Sequence, residues 1–198
     1  MKAIVADYGT GNLHSLIRAL RAAGADPVVQ TKPRLLLAGD VLILPGVGAF
    51  PGAATHLADA RHTLLRALRD GHPCLAICLG MQLLFETSEE GAGNGIGLIT
   101  GTVRRLTSRV VPHMGWNSLD DVRDAAIESA ALKTGYFANS YTCAPGTQEV
   151  VVAWTTHETS RFPAAVRAAR TLGLQFHPEK SGHEGYELIA AFLRETSS

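Results

Sequence analysis

Three cysteines, Cys74, Cys78 and Cys143, are an odd and sparse set that cannot supply a disulfide framework, so a reducing compartment, the cytoplasm, is the expected setting. Cys74-x3-Cys78 is not the C-x-x-C spacing of a redox pair. No His/Cys cluster has metal-ligand spacing, and neither a metal nor a cofactor is expected. Charge of one sign is missing too: 18 Lys+Arg stand against 18 Asp+Glu. Without a basic surface there is no electrostatic footprint for nucleic acid. No apolar run approaches the ~20 residues that span a bilayer, and Asp7 interrupts the first apolar run too early for a signal-peptide core. What is present is 46% hydrophobic residues in 198, enough for one sizeable core and one expected domain over residues 1–198.

The first half alternates. Lys2 to Tyr8 reads as a strand, broken by Gly9-Thr10-Gly11, with Asn12 as the expected cap of a helix whose apolar stripe is Leu13, Leu16, Ile17 and Leu20. A short strand over Pro27 to Gln30 follows, then the continuous apolar run Val41 to Leu44, typical of a strand buried on both faces. A loop over Pro45 to Gly52 leads to a helix marked by Leu57, Leu64, Leu65 and Leu68. This pattern predicts an α/β fold, a mostly parallel sheet covered by helices on both faces. After Thr87 the register changes. A glycine-dense segment, Gly91 to Gly97, reads as flexible. Short runs at Gly101–Leu106, Tyr136–Tyr141, Glu149–Thr156, Ala164–Ala168 and Thr171–Phe176 read as antiparallel additions to the same sheet. A short helix within Asp120–Thr134 and a docking helix over Glu184–Glu195 complete the chain.

The chemistry concentrates at Ala76-Ile77-Cys78-Leu79-Gly80. An apolar strand ends at Cys78 and a helical pattern starts behind it, the grammar of a nucleophile elbow, with small residues two before and two after. A cysteine there sits at a helix N-terminus, next to free N–H groups that can hold an oxyanion. The alternative is a buried strand cysteine packing as a small hydrophobe. His177-Pro178-Glu179 follows the strand ending at Phe176. In extended backbone, residues i and i+2 point the same way, and strand carboxyl ends gather the site in parallel sheets. Cys78 as nucleophile, His177 as base and acid, and Glu179 as orienter form a complete set; a surface turn histidine is the alternative. Pro45-Gly46-Val47-Gly48 ends the neighbouring strand. Its paired glycines allow a peptide N–H to turn inward and, with the Leu79 N–H, form an oxyanion hole around Val47, Gly48 and Leu79. A tight turn fits the same spacing. As a phosphate cradle the loop lacks the lysine and hydroxyl of a P-loop.

Cys78-Leu79-Gly80-Met81-Gln82 with His177-Pro178-Glu179 resembles the class I (triad) glutamine amidotransferases. Asp7-Tyr8-Gly9-x-Gly11-Asn12, Pro45 to Phe50 and Pro112-His113-Met114-Gly115-Trp116-Asn117 narrow the resemblance to the glutaminase subunits of imidazole glycerol phosphate synthase, and it spans essentially the whole chain. The resemblance implies a flavodoxin-like three-layer domain. It implies hydrolysis of the glutamine side-chain amide through a Cys78 thioester. The ammonia would pass to a separate (β/α)8-barrel cyclase subunit, for imidazole glycerol phosphate in histidine biosynthesis. It also implies glutamine binding by Gly46, Gly48, Gln82, Glu90, Ser140 and Tyr141, and a partner interface at Asn12, Met114, Gly115, Trp116, Asn117 and Lys180. Trp116, in a Gly-rich loop, is either an interface anchor or a core residue. The chain departs from the family's usual Phe-Val-His-Ser-Tyr at Asn139, and from its usual Tyr-Gly at His157-Glu158, where an altered turn is expected. Two rival readings stay open. One is another triad glutaminase, such as that of pyridoxal phosphate synthesis, against which the Pro112–Asn117 run argues. The other is a non-catalytic thiol sensor or binding module, which needs no general base.

Overall fold

The structure is a computed structural model, and it describes residues 1–9 and 13–196. In the first half, strand β1 (Lys2–Ala6), helix α1 (His14–Ala22), β2 (Asp26–Gln30), β3 (Val41–Leu44), helices α2 (Phe50–Leu57) and α3 (Arg61–Arg69), β4 (Cys74–Ile77) and the short α4 (Leu79–Leu83) follow the apolar periodicity, except that the single helix expected through Leu57 to Leu68 is two, parted by a 3-10 turn at Ala58–Ala60. The second half holds β5 (Thr87–Ser88), β6 (Gly101–Arg105), β7 (His113–Ser118), α5 (Ala125–Ser129), β8 (Thr134–Asn139), β9 (Tyr141–Pro145), β10 (Val151–His157), β11 (Ser160–Ala168), β12 (Thr171–Leu174) and α6 (Gly182–Thr196).

Seven strands form the central sheet in the order β10-β11-β12-β4-β3-β1-β2. From β12 to β2 the pairing is parallel, and β11 and β10 are antiparallel. The inner strands β3, β4 and β12 are buried along their whole length, as doubly covered strands are, whereas the edge strands β2 and β10 are partly exposed. Val5, Ile43, Leu75 and Leu172 face α1 and α6; Ile4, Leu42, Leu44 and Ala76 face α2, α3 and α4. Each fully buried Leu or Ile contributes about 1.5–3 kcal/mol. The register that matters for function pairs Leu174 of β12 with Ile77 of β4. The residues that leave the two strand ends, Cys78 on one side and Gln175 to His177 on the other, therefore emerge side by side at the carboxyl edge.

Several sequence expectations need correction. The short strands of the second half do not all extend the main sheet: β5, β6 and β9 make a three-stranded sheet, and β7 and β8 a two-stranded one. The run Tyr136–Tyr141 is split at Ser140, whose carbonyl takes the Leu106 N–H at 2.9 Å, so its two ends serve different sheets. Pro45–Gly52 is not all loop. Helix α2 starts at Phe50 with Pro51 in its first turn, where proline needs no N–H, and Glu90 Oε2 accepts the Phe50 N–H at 2.8 Å. Trp116 lies in strand β7 rather than a Gly-rich loop. The 91–97 segment, read as flexible, is tied down by the Gly95 N–H to Glu86 O at 2.9 Å and the Ile96 N–H to Leu83 O at 2.6 Å. Asn12, the expected helix cap, lies outside the described residues; the residue at the helix N-cap is Leu13.

Candidate active site

Cys78 joins β4 to α4 with φ 49° and ψ −105°. A residue with a side chain in such a region costs on the order of 1–3 kcal/mol and persists only where its surroundings hold it. Here the Cys78 N–H donates to Leu174 O at 2.6 Å, and Cys78 O accepts the Gln82 N–H at 3.1 Å. Gly80 is required by space, since a Cβ there would stand 2.1 Å from Leu44 O. This is the strand-to-helix elbow that the Ala76–Gly80 spacing predicts.

His177 arrives from the β12 side, its N–H held by Tyr136 O at 2.8 Å. Its Nδ1 lies 2.8 Å from Glu179 Oε1, and both side chains are buried. The backbone between them differs from the extended segment expected: Pro178–Lys180 form a turn of 3-10 helix that brings the carboxylate round to the ring. Burial alone would push the imidazole down. Hydrogen bonds to Cys78 and Glu179, reinforced by their charges, outweigh it and hold His177 at about 10. The second oxygen of Glu179 is buried with no hydrogen-bond partner among the described residues, so the ring is what answers its charge.

The loop after β3 closes on this pair. A Cβ at Gly46 would stand 2.7 Å from Cys78 Cβ and 2.8 Å from His177 Cε1. Gly48 has φ 101°, a conformation that favours glycine. Gly46, Gly48, Cys78, Leu79, Gln82, Glu90, Ala138, Asn139, Ser140 and Tyr141 line one cleft of about 220 Å3. That is smaller than the roughly 300–1,000 Å3 of drug-sized ligand pockets and suits an amino acid. All the residues expected to hold glutamine thus meet; Val47 sits between the two glycines and is not a lining residue.

Within the cleft the polar groups are already partly committed. Gln82 Nε2 donates to Tyr141 O at 3.1 Å and to Gln175 Oε1 at 3.3 Å. Gln175 Nε2 in turn donates to Cys78 Sγ at 3.5 Å. Asn139 Nδ2 donates to Tyr141 O at 3.1 Å, which is what the residue at the departure from the family pattern does locally. Glu90 uses one oxygen on Phe50 N–H. Gln175 escaped the sequence reading, although the i, i+2 argument that linked His177 to Glu179, run backwards, points to it. A larger groove of about 530 Å3 lies apart from Cys78, between Arg104–Thr107 and Thr159–Pro163. Its Arg161 is committed to Asp121 and to the face of Trp154, 4.6 Å away.

The expected interface residues form a strip beside the site. Met114 and Trp116 are 61% and 57% exposed, so Trp116 is a surface residue and not a core one. Trp116 stacks edge-on against Tyr136 at 6.2 Å, and exposed Lys180 lies over the same ring at 5.9 Å. Gly115 is half-buried between them. Asn117 turns its amide back to Thr156 O at 2.8 Å and so serves its own fold. The His157-Glu158 departure does fall at a turn, between β10 and β11. Glu158 Oε2 accepts the Arg109 N–H at 2.6 Å, and the His157 ring stacks on His113 at 4.1 Å.

The profile of the class-I glutamine amidotransferases matches residues 4–196. An imidazole glycerol phosphate synthase subunit HisH from Synechococcus elongatus is 42% identical over 98% of this chain and 93% of its own. The protein of the same name from Methanothermobacter thermautotrophicus is 44% identical over 96% of each chain. The chain belongs to the class-I glutamine amidotransferase family, among its HisH subunits. Solved structures agree in fold. PurLQS from Thermotoga maritima superposes with a TM-score of 0.78 at 20% identity over 98% of each chain. A glutamine amidotransferase crystal structure superposes at 0.75 and 19% identity, over 98% of this chain and 99% of the other. The central sheet of this family member carries its cleft at the carboxyl edge of parallel strands. No group of His, Cys, Asp and Glu among the described residues has a metal-binding arrangement, and no described helix is long and apolar enough to cross a membrane.

Proposed function

We propose that this chain hydrolyses the side-chain amide of L-glutamine and delivers the ammonia to a separate barrel cyclase subunit that makes imidazole glycerol phosphate, a step of histidine biosynthesis. The observation that carries the reading is the buried Cys78–His177–Glu179 set on a strained elbow, in a chain 42–44% identical to HisH subunits over nearly its whole length. Cys78 attacks the amide carbon as a thiolate, and a C–S bond forms. The carbonyl electron pair moves to the oxygen, stabilised by the Leu79 N–H and the Val47–Gly48 peptide. His177, holding the proton, gives it to the amide nitrogen as the C–N bond breaks, leaving a thioester and ammonia. His177 then takes a proton from water, whose oxygen attacks the thioester; collapse releases glutamate and returns Cys78. Glu179 orients the imidazole and supports its charge throughout. Glu90, with one oxygen unused by Phe50, and the Ser140–Tyr141 backbone meet the ammonium and carboxylate of the substrate.

The partner docks on Met114, Gly115, Trp116 and Lys180. Trp116 leans on Tyr136, whose carbonyl holds the backbone of His177, so one residue of β8 touches both the surface and the base. Residues 1–198 act as one glutaminase domain, consistent with α6 packing back on α1 and α5. The three free cysteines suit the cytoplasm. The test is glutamate release with and without the barrel subunit and its ligand. Slow turnover alone and strong stimulation in the complex are expected; rapid unstimulated turnover overturns the coupling to a partner.

A further inference from the structure

Gln175 has no exposed surface and lies outside the triad, yet both ends of its carboxamide are spoken for. The direction of the chain of hydrogen bonds is fixed by chemistry. Tyr141 O is a backbone carbonyl and accepts only, so the group of Gln82 that faces it is the NH2. The second proton of that NH2 meets Gln175 at 3.3 Å, so Gln175 presents its oxygen there. Its own NH2 is thereby turned to Cys78 Sγ at 3.5 Å. A flipped Gln175 would set its oxygen against the sulfur and its NH2 against the NH2 of Gln82. The orientation thus originates at the Tyr141 carbonyl and is transmitted inward.

We propose that Gln175 is a catalytic residue of this site, its amide N–H bonding the Cys78 sulfur, and that Gln82 is the positioning residue that aims it. The inference rests on Cys78 being the nucleophile. The sulfur carries negative charge at two moments: as it attacks, and as it leaves when the second tetrahedral intermediate collapses, breaking C–S and regenerating the thiolate. An N–H fixed at the sulfur holds it in the attacking position and receives that charge on departure. Hydrogen bonds to charged groups are the strong ones. Gln82, read from sequence as a substrate ligand, has both of its amide protons spent inside the protein and offers the cleft only its oxygen.

The test uses the full chain with its barrel subunit. Cys74 and Cys143 are buried with their thiols pushed up by that burial, so iodoacetamide reports on Cys78. Gln175→Met keeps the volume and removes the amide. A fall in kcat of roughly 10- to 100-fold is expected, with KM within about threefold, slower alkylation of Cys78 and an alkylation profile moved to higher pH. Gln82→Met, farther from the sulfur, should move the same profile in the same direction by less, and it carries the test if Gln175→Met does not fold. Gln175→Glu, which sets an anion against the sulfur, should be slower than Gln175→Met. Alkylation at the wild-type rate and pH in folded Gln175→Met, or in Gln82→Met where only that variant folds, overturns the proposal. Because alkylation needs no glutamine, a wild type that never releases glutamate would sink the glutaminase reading and leave this result standing.

Discussion

Nδ1 of His177 lies 2.8 Å from Glu179 Oε1 with both side chains buried, and the same ring is hydrogen-bonded to Cys78. An imidazole so placed stays protonated through neutral pH, at about 10, because its two hydrogen-bond partners outweigh its burial. The raised value adds stability that is present in full below the ordinary histidine pKa of ~6.5 and is lost as pH climbs towards 10. NMR titration of the His177 ring should show the charged form persisting above pH 8. In Glu179→Gln the titration moves down, and kcat falls by about 100-fold or more. A ring that titrates near 6.5 in the wild type contradicts the arrangement.

Gly46 has no room for a side chain. A methyl group there meets Cys78 Cβ at 2.7 Å and His177 Cε1 at 2.8 Å. Both contacts belong to the reacting groups, so Gly46→Ala must push them apart. A misplacement of about 1 Å costs roughly 100-fold in rate. Steady-state glutamate release should show that loss in kcat, with binding of the barrel subunit retained. Wild-type kcat in Gly46→Ala would show that the loop stands farther from the chemistry.

Beneath the exposed strip of β7, His113 stacks between His157 at 4.1 Å and Phe137 at 4.9 Å. Burial, helped by the charge of His157, lowers it to about 4. The folded protein therefore keeps His113 neutral while the unfolded chain takes up a proton below pH ~6.5, so stability falls as pH drops from 6.5 towards 4. Denaturant midpoints at pH 7.5 and 5 should differ, and His113→Gln should flatten that dependence. An unchanged acid slope in the variant contradicts the assignment.

Trp116 is more than half exposed, so its loss costs the isolated chain within about 0.5 kcal/mol. As an interface anchor it carries about 2 kcal/mol or more of binding, roughly 30-fold in Kd. Trp116→Ala should melt like the wild type and bind the barrel subunit that much more weakly, read by calorimetric titration. Equal affinity would move the interface elsewhere.

Much of this was visible in the chain. Val41–Leu44 and Cys74–Ile77 announced themselves as doubly buried strands, and the small residues around Cys78 announced the elbow, because burial and crowding leave a composition behind. Other features left no local trace. Strand β7 hid because alternate residues face solvent and the ones that do are Met114 and Trp116, apolar residues on the wet side. Helix α2 hid its start because Phe50-Pro51-Gly52 looks like a loop, and only the distant Glu90 supplies its cap. The split of Tyr136–Tyr141 depends on where Leu106 finds a carbonyl, a long-range event. Gln175 stands two residues before His177, so alternation alone places it on the same face, but nothing local says that the Cys78 sulfur lies 3.5 Å from its amide.

The most direct test is glutamate release by the complex with the barrel subunit and its ligand, wild type against Cys78→Ala. The sulfur forms the bond on which every later step depends, so the variant should fall to background while still folding and binding its partner. Turnover in Cys78→Ala at the wild-type rate would contradict the account.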